Sequence, residues 1–154
     1  MIKNIITSKN TDYSTFLQCD CGSEILWFYY YHGTTTCEEI IGVDYFGYLK
    51  KKENSLDKHF NFSAKQFKIF LQDLKNIQHI EEFCKDYECN GSYIRIKKDS
   101  LGFYSIFKFK DRKFLFKGTY VWDIKIRSPQ LIELINELNE MEKVIDYYNK
   151  KVEN

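Results

Sequence analysis

Hydrophobic and polar residues alternate with a period of two over much of this chain, which is the spacing of strands in a half-buried antiparallel sheet. The first such stretch covers residues 14–31, and Gly22-Ser23 interrupts it, so the pattern predicts a β-hairpin. Five consecutive aromatic residues from Trp27 to Tyr31 put large rings on both faces of its second strand. Each of those faces therefore needs a cover or a ligand.

A third strand is predicted over residues 39–48, where the alternation resumes. Gly42 and Gly47 lie inside it and indicate a bulge or the close approach of another group. The polar residues 50–55 that follow predict a solvated connection.

The spacing of apolar residues changes to that of a helix after Ser63. Ser63 is a favourable N-cap, and Gln66 is placed three residues later to complete a capping box. Phe62 and Phe67 flank the cap and are placed to form a hydrophobic staple. The predicted helix ends between residues 80 and 85. Its apolar stripe consists of Phe67, Phe70, Leu71, Leu74 and Ile77.

The second half of the chain repeats this order of strands followed by a helix. Asn90-Gly91 predicts a hairpin turn, and a meander of strands continues from it to residue 126. Ser128 and Pro129 then begin a long helix as its N-cap and its first helical position. The apolar residues of this helix alternate steps of three and four over three heptads. They are Leu131, Leu134, Leu138, Met141, Ile145, Tyr148 and Val152.

These patterns predict one α+β domain over residues 1–154, with antiparallel sheet and two strands-then-helix halves, about 14–85 and 86–152. The long C-terminal helix either covers the sheet or extends beyond it and pairs with a second copy, so a homodimer is one expectation. The aromatic share of 18% means that rings, more than aliphatic side chains, fill much of the core.

The N-terminal residues lack the apolar segment of a signal peptide, and no stretch approaches the roughly 20 apolar residues of a membrane span. Five cysteines in such a chain predict reduced thiols. We therefore expect a cytoplasmic protein inside a host cell, with no membrane partner.

Positive charge is concentrated in residues 92–127, which contain ten Lys and Arg against three Asp and Glu, although the whole chain carries only +1. Strand alternation predicts that these cations share one sheet face while rings and aliphatic residues share the other. Such a face could bind a phosphate backbone, with Tyr93 and Tyr104 stacking on bases. The alternative is that the cations only keep the sheet soluble and protect its edges. The predicted cations are Arg95, Lys97, Lys108, Lys110, Lys113, Lys117, Lys125 and Arg127.

Trp27 and Tyr30 form a second predicted contact surface on the aromatic strand. No spacing along the chain supplies a nucleophile, a base and an orienting group together, so we predict no enzyme activity. Asp44 and His32 are a pair that could in principle do acid–base work.

The cysteines allow two interpretations. Cys19 and Cys21 share one side of an extended strand, and Cys84 and Cys89 form a second loose pair, so four thiolates could bind structural zinc. A single residue between the first two is not the usual zinc-knuckle spacing, so we favour buried thiols that act as small hydrophobes. No metal or other cofactor is predicted.

The segment Phe16-Leu17-Gln18-Cys19-Asp20-Cys21-Gly22-Ser23-Glu24-Ile25-Leu26 resembles an F-L-x-C-x-C-G-S-E-x-L hairpin. That hairpin is found in small uncharacterised proteins of phages and mobile elements. The resemblance implies a non-catalytic binding protein that inhibits host defence or nucleic-acid-handling machinery, as an anti-CRISPR does. Its partner would be a host protein or a ribonucleoprotein complex. The strands-then-helix repeat also looks like the whirly or PUR type of fold, which implies the alternative function of binding single-stranded nucleic acid.

Overall fold

The chain forms two antiparallel four-stranded sheets, each followed by one helix. This computed structural model describes residues 11–19, 24–47, 59–110 and 119–153, with backbone alone at 110, 119–121, 152 and 153. The elements are β1 (Tyr13–Gln18), β2 (Ile25–Tyr31), β3 (Ile40–Phe46), β4 (His59–Phe62), α1 (Ala64–Ile77), β5 (Phe83–Cys89), β6 (Ser92–Lys98), β7 (Tyr104–Lys110), β8 (Thr119–Ile126) and α2 (Ser128–Glu153).

Both sheets are meanders, with strand orders β1-β2-β3-β4 and β5-β6-β7-β8. The predicted α+β class and the two strands-then-helix halves are therefore confirmed. Strand β4 was not predicted, because it has only four residues and follows a polar segment. Helix α1 ends at Ile77, three residues before the predicted range. The predicted turn at Gly22-Ser23 and the predicted strand at 113–117 lie outside the described residues.

The start of α1 follows the predicted cap only in part. The Ser63 hydroxyl accepts a hydrogen bond from the Gln66 backbone N–H, and the Phe62 and Phe67 rings pack edge to face at 6.0 Å. The capping box is wrong, since the Gln66 amide donates to the Glu88 carbonyl oxygen at 2.6 Å. Gln66 therefore ties α1 to the second sheet, a use of its side chain that local spacing does not reveal.

Helix α2 begins one residue earlier than predicted. The Arg127 backbone N–H donates to the Gln130 side-chain oxygen at 2.9 Å, which makes Arg127 the capping position. The predicted apolar stripe is buried from Leu131 to Ile145, and Tyr148 stacks on His32 with ring centroids 4.3 Å apart. The first sheet thus covers α2 as far as Tyr148, while a homodimer through this helix stays a prediction.

One apolar core joins both sheets and both helices. Phe70 of α1 contacts Phe28 and Phe62 of the first sheet and Tyr87 of the second, with ring centroids 4.8–6.3 Å apart. Tyr45 and Trp122 stack directly between the two sheets at 5.5 Å. Each sheet therefore turns one face to this core, and its opposite face is called its outer face below.

Two buried tyrosines, Tyr29 and Tyr87, lead us to expect a loss of stability at high pH. Burial raises the pKa of Tyr87, with the Asp73 carboxylate adding to the effect, and burial beside Asp44 raises the pKa of Tyr29. The folded state holds both phenolic protons more tightly than the unfolded chain, so this stability is complete below about pH 10 and falls as pH rises further.

We expect the free energy of unfolding to drop above about pH 10 with a slope of at most ~1.4 kcal/mol per pH unit for each such tyrosine. Denaturant unfolding between about pH 9 and 11.5 measures the slope. Tyr87→Phe should make this slope shallower, because the variant lacks one of the two phenolic protons that the folded state holds. Identical slopes for the native protein and Tyr87→Phe would contradict the prediction.

Candidate binding faces of the two sheets

The outer face of the second sheet combines rings and cations. Strand register places Arg95 beside Phe107, Tyr93 beside Phe109, and Lys97 beside Ser105 on β6 and β7. On the far side of β7, Lys125 of β8 also pairs with Ser105. The face therefore has a row of two lysines at one end and a pair of aromatic positions at the other.

Phe107 and Phe109 lie next to each other on this face of β7. The rings of Phe107 and Phe109 are stacked, with centroids 6.0 Å apart and planes 26° from parallel. The Arg95 guanidinium lies 4.8 Å from the centre of the Phe109 ring. This spacing is that of a cation–π contact, which fixes the guanidinium against the aromatic surface.

The cations on this face differ in how strongly neighbouring acids hold them. Arg95 forms two hydrogen bonds with Asp86, at 2.6 and 3.0 Å, and this pairing raises the pKa of its guanidinium. Lys97 and Lys125 are exposed and have no ion-pair partner among the described residues. Arg127 is also exposed, and its guanidinium lies 5.5 Å from the centre of the Phe103 ring. The two lysines are thus the cations best placed to receive an anionic ligand.

Lys108 was predicted on this face, and that prediction is wrong. Its side chain is 1% exposed, on the core side of β7 with Tyr104 and Ile106. Tyr104 is 3% exposed and is likewise not available for stacking on a base. Both alternating sets of β7 contain apolar residues, so its sequence alone does not say which set faces the core. In the register with β6, Phe107 and Phe109 pair with Arg95 and Tyr93 and therefore lie on the outer face.

Three other predicted cations lie wholly or partly outside the described residues. The side chain of Lys110 is outside the described part of the chain, and so are Lys113 and Lys117 altogether. The predicted outward direction is correct for Arg95, Lys97 and Lys125 on the strands, and Arg127, which follows β8, is also exposed.

The outer face of the first sheet is aromatic. Phe16 of β1 stacks on Trp27 of β2 at 6.0 Å, and Trp27 also contacts Tyr29 at 4.4 Å and Phe46 at 6.2 Å. Phe16 is 64% exposed, so its ring forms the surface of this cluster while Trp27 lies beneath it at 6% exposure. Phe16 and Phe46 were not predicted as contact residues, although alternation along the predicted hairpin places Phe16 on the same face as Trp27.

The predicted contact residues Trp27 and Tyr30 lie on opposite sides of β2. Tyr30 is fully buried in the core, where its hydroxyl donates to Glu39 at 3.1 Å. It therefore cannot serve as a surface contact, and its prediction is wrong. Trp27 is on the outer face, but Phe16 rather than Trp27 presents the exposed ring.

Histidines and carboxylates form two small clusters that differ from the predicted Asp44–His32 pair. Asp44 pairs with His59 of β4, and the Tyr29 hydroxyl lies 2.8 Å from the same imidazole nitrogen. His32 instead pairs with Asp12 at 2.8 Å. Asp44 thus pairs with His59 on the neighbouring strand and not with His32, the histidine expected from the sequence.

The described cysteines do not come together. Cys84 is exposed on the outer face of β5, whereas Cys89, an odd number of residues away, points to the other face. Cys19 is buried near the end of β1. No group of three or more His, Cys, Asp and Glu residues with metal-binding geometry occurs in the described ranges. No helix within those ranges is both long and apolar enough to span a membrane.

No protein-family model matches this chain, and no curated protein matches it. A solved structure that resembles it is a chain from the crystal structures of Trypanosoma brucei MRP1/MRP2, with a TM-score of 0.50. The two chains are 12% identical over 92% of this chain and 87% of that one. At this identity the likeness shows that the two share an arrangement of strands and helices.

Proposed function

We propose that this protein binds single-stranded nucleic acid, without catalysis, through the outer face of its second sheet. The observation that carries the proposal is the stacked pair Phe107 and Phe109, with Arg95 against the Phe109 ring. Lys97 and Lys125, which have no ion-pair partner in the described part of the chain, lie beside Ser105 in the next row of the same face. Outward rings bordered by cations are the combination that proteins use to bind nucleic-acid strands without regard to sequence.

The rings supply the reason for preferring a single strand. A base offers its π-face to a protein ring only when it is not stacked inside a duplex, and such stacking contributes about 1–3 kcal/mol per base. Phe107 and Phe109 provide two adjacent positions for bases, with Tyr93 opposite Phe109. A duplex hides its base faces and would contact only the cations.

The cations set the expected dependence on salt. Lys97, Lys125 and Arg127 would contact about three phosphates, while Asp86 already holds Arg95. Single-strand binding releases about 0.7 counterions per phosphate, so the plot of log K against log salt should have a slope near −2. The acidic Asp86, Glu88 and Asp123 on the same face keep that number small.

Charge reversal of Lys97→Glu with Lys125→Glu tests the proposal. We expect affinity for a labelled single-stranded oligonucleotide, measured by fluorescence anisotropy at low salt, to fall at least about tenfold and the salt slope to flatten. Lys143→Glu with Lys150→Glu makes the same charge change on exposed positions of α2 and should leave both quantities nearly unchanged. Reversal of the buried Lys108 would test folding instead of binding.

Replacing Phe107 and Phe109 by alanine separates stacking from charge. Affinity should fall at every salt concentration while the slope stays the same, because no phosphate contact is removed. Equal affinity of the native protein for duplex and single strand, or wild-type affinity of the lysine double variant, would contradict the proposal.

A second candidate function is the inhibition of a host protein or ribonucleoprotein complex, of the kind that phage proteins carry out. Phe16 favours it, because a 64% exposed ring on an otherwise aromatic sheet face is typical of an anchor in a protein interface. Capture of a host protein that survives nuclease treatment and is lost in Phe16→Ser would support this candidate over the first.

A further inference from the structure

Strand β1 is an edge strand, because no strand formed by the described residues lies on its outer side. The Cys19 backbone N–H donates to the Glu24 carbonyl, which shows that odd-numbered residues of β1 direct their backbone groups toward β2. The even-numbered Ser14 and Phe16 therefore direct their N–H and C=O groups to the open edge. Neither has a backbone partner there among the described residues.

A hydrogen bond at the C-terminal end of β1 confirms that its even-numbered residues direct their backbone groups to the open edge. The Gln18 carbonyl, which belongs to the same outward set, accepts a hydrogen bond from the Gln130 amide of α2 at 2.8 Å. At the other end of the strand, the Tyr13 hydroxyl donates to Glu137 of α2. The outward groups of Ser14 and Phe16 lie between these two bridges.

A groove of about 380 Å³ runs along this edge between β1 and α2. Leu17 and Leu134 line its apolar part, and Glu133 and Glu137 line its polar part. No Lys or Arg is among its described lining residues. The groove thus presents unpaired strand backbone on one side and negative charge on the other.

We propose that this edge binds an extended basic segment of a partner protein, which joins the first sheet as a fifth strand beside β1. Backbone hydrogen bonds to Ser14 and Phe16 would hold the segment, as in other cases of strand addition. Alternate side chains of an added strand face opposite sides. Its cationic residues would therefore lie toward Glu133 and Glu137, and its apolar residues would lie beside Phe16.

The charge of the groove decides between a partner of this kind and a second copy of the chain. Antiparallel pairing of two β1 strands would bring the Glu133 and Glu137 carboxylates of two copies toward the same interface, and like charges there are unfavourable. A basic segment instead neutralises them. This proposal does not depend on nucleic-acid binding, because it concerns the other sheet.

A labelled peptide of alternating lysine and valine, about eight residues long, serves as the probe. We expect it to bind the full chain, and a lysine–proline peptide of the same charge to bind at least about tenfold more weakly because proline lacks the N–H donors of a strand. Glu133→Lys should weaken binding of the lysine–valine peptide at least about tenfold. Glu81→Lys, at an exposed position outside the groove, should leave it within about twofold.

Amide hydrogen exchange locates the bound peptide on the strand. Saturation with peptide should slow exchange of the Ser14 and Phe16 amides and leave those of Thr15 and Leu17, which already face β2, unchanged. Equal binding of the two peptides, or unchanged exchange at Ser14 and Phe16, would overturn the proposal. Protection of these amides that grows with protein concentration in the absence of peptide would assign the edge to a second copy and overturn it as well.

Discussion

Phe70→Ala is expected to lower the free energy of unfolding by about 3–5 kcal/mol, more than any other single change considered for this protein. Phe70 is 0% exposed, and its ring contacts aromatic residues of both sheets. Its removal leaves a cavity between layers that cannot collapse together, because each sheet is held by its own hydrogen bonds. Denaturant or thermal unfolding measures the loss.

The neighbouring residue provides a matched control. Ile69 is on the same helix turn but 42% exposed, so Ile69→Ala should change stability by less than about 1 kcal/mol. Because both positions have the same helical backbone, the difference between the two variants measures burial and not helix propensity. A loss of similar size for both would contradict the prediction that the burial of Phe70 between the two sheets dominates its contribution to stability.

Gly42→Ala is expected to lower the free energy of unfolding by about 2–3 kcal/mol, near the upper end for overpacking. A Cβ atom at Gly42 would lie 2.5 Å from Cζ of Tyr29, whose ring is 1% exposed and so has little room to move. The register of β2 and β3 is continuous there, so of the two predicted roles for this glycine the close approach is confirmed and the bulge is wrong.

A double variant identifies the cause. In a Tyr29→Ala background the steric conflict is gone, and alanine at position 42 should then be neutral or stabilise by up to about 1 kcal/mol relative to glycine, because it restricts the unfolded chain. The loss of stability caused by Gly42→Ala should therefore disappear or change sign in the Tyr29→Ala background. An unchanged loss in the Tyr29→Ala background would mean that the backbone at Gly42, and not the Tyr29 ring, requires glycine.

Short-range features of the fold were predictable because their causes lie within a few residues. The Ser63 cap and the Phe62–Phe67 contact involve atoms one helical turn apart. Asn90 and Gly91 adopt positive φ angles of 50° and 82°, as their residue types favour in a hairpin turn. With the apolar stripe of α2, such signals determine the order of strands and helices and hence the α+β class.

The direction of the side chains in the candidate site was predictable only for a strand in which the apolar residues occupy just one of the two alternating sets. In β6 the isoleucines occupy one of the two alternating sets and face the core, so the outward direction of Arg95 and Lys97 was predicted correctly. In β7 both sets contain apolar residues, and Lys108 was placed on the wrong side. The stacked Phe107 and Phe109 were missed as surface residues for the same reason.

By itself, the sequence determined both helices, most of the strands and where several of these elements begin. Only the tertiary structure decided which alternating set of β7 faces the core, that β4 completes the first sheet, and that Asp44 pairs with His59. The physical reason is that strand period fixes two opposite faces but not their assignment. That assignment depends on cross-strand register and on the packing of residues far apart in the chain, which no local pattern contains.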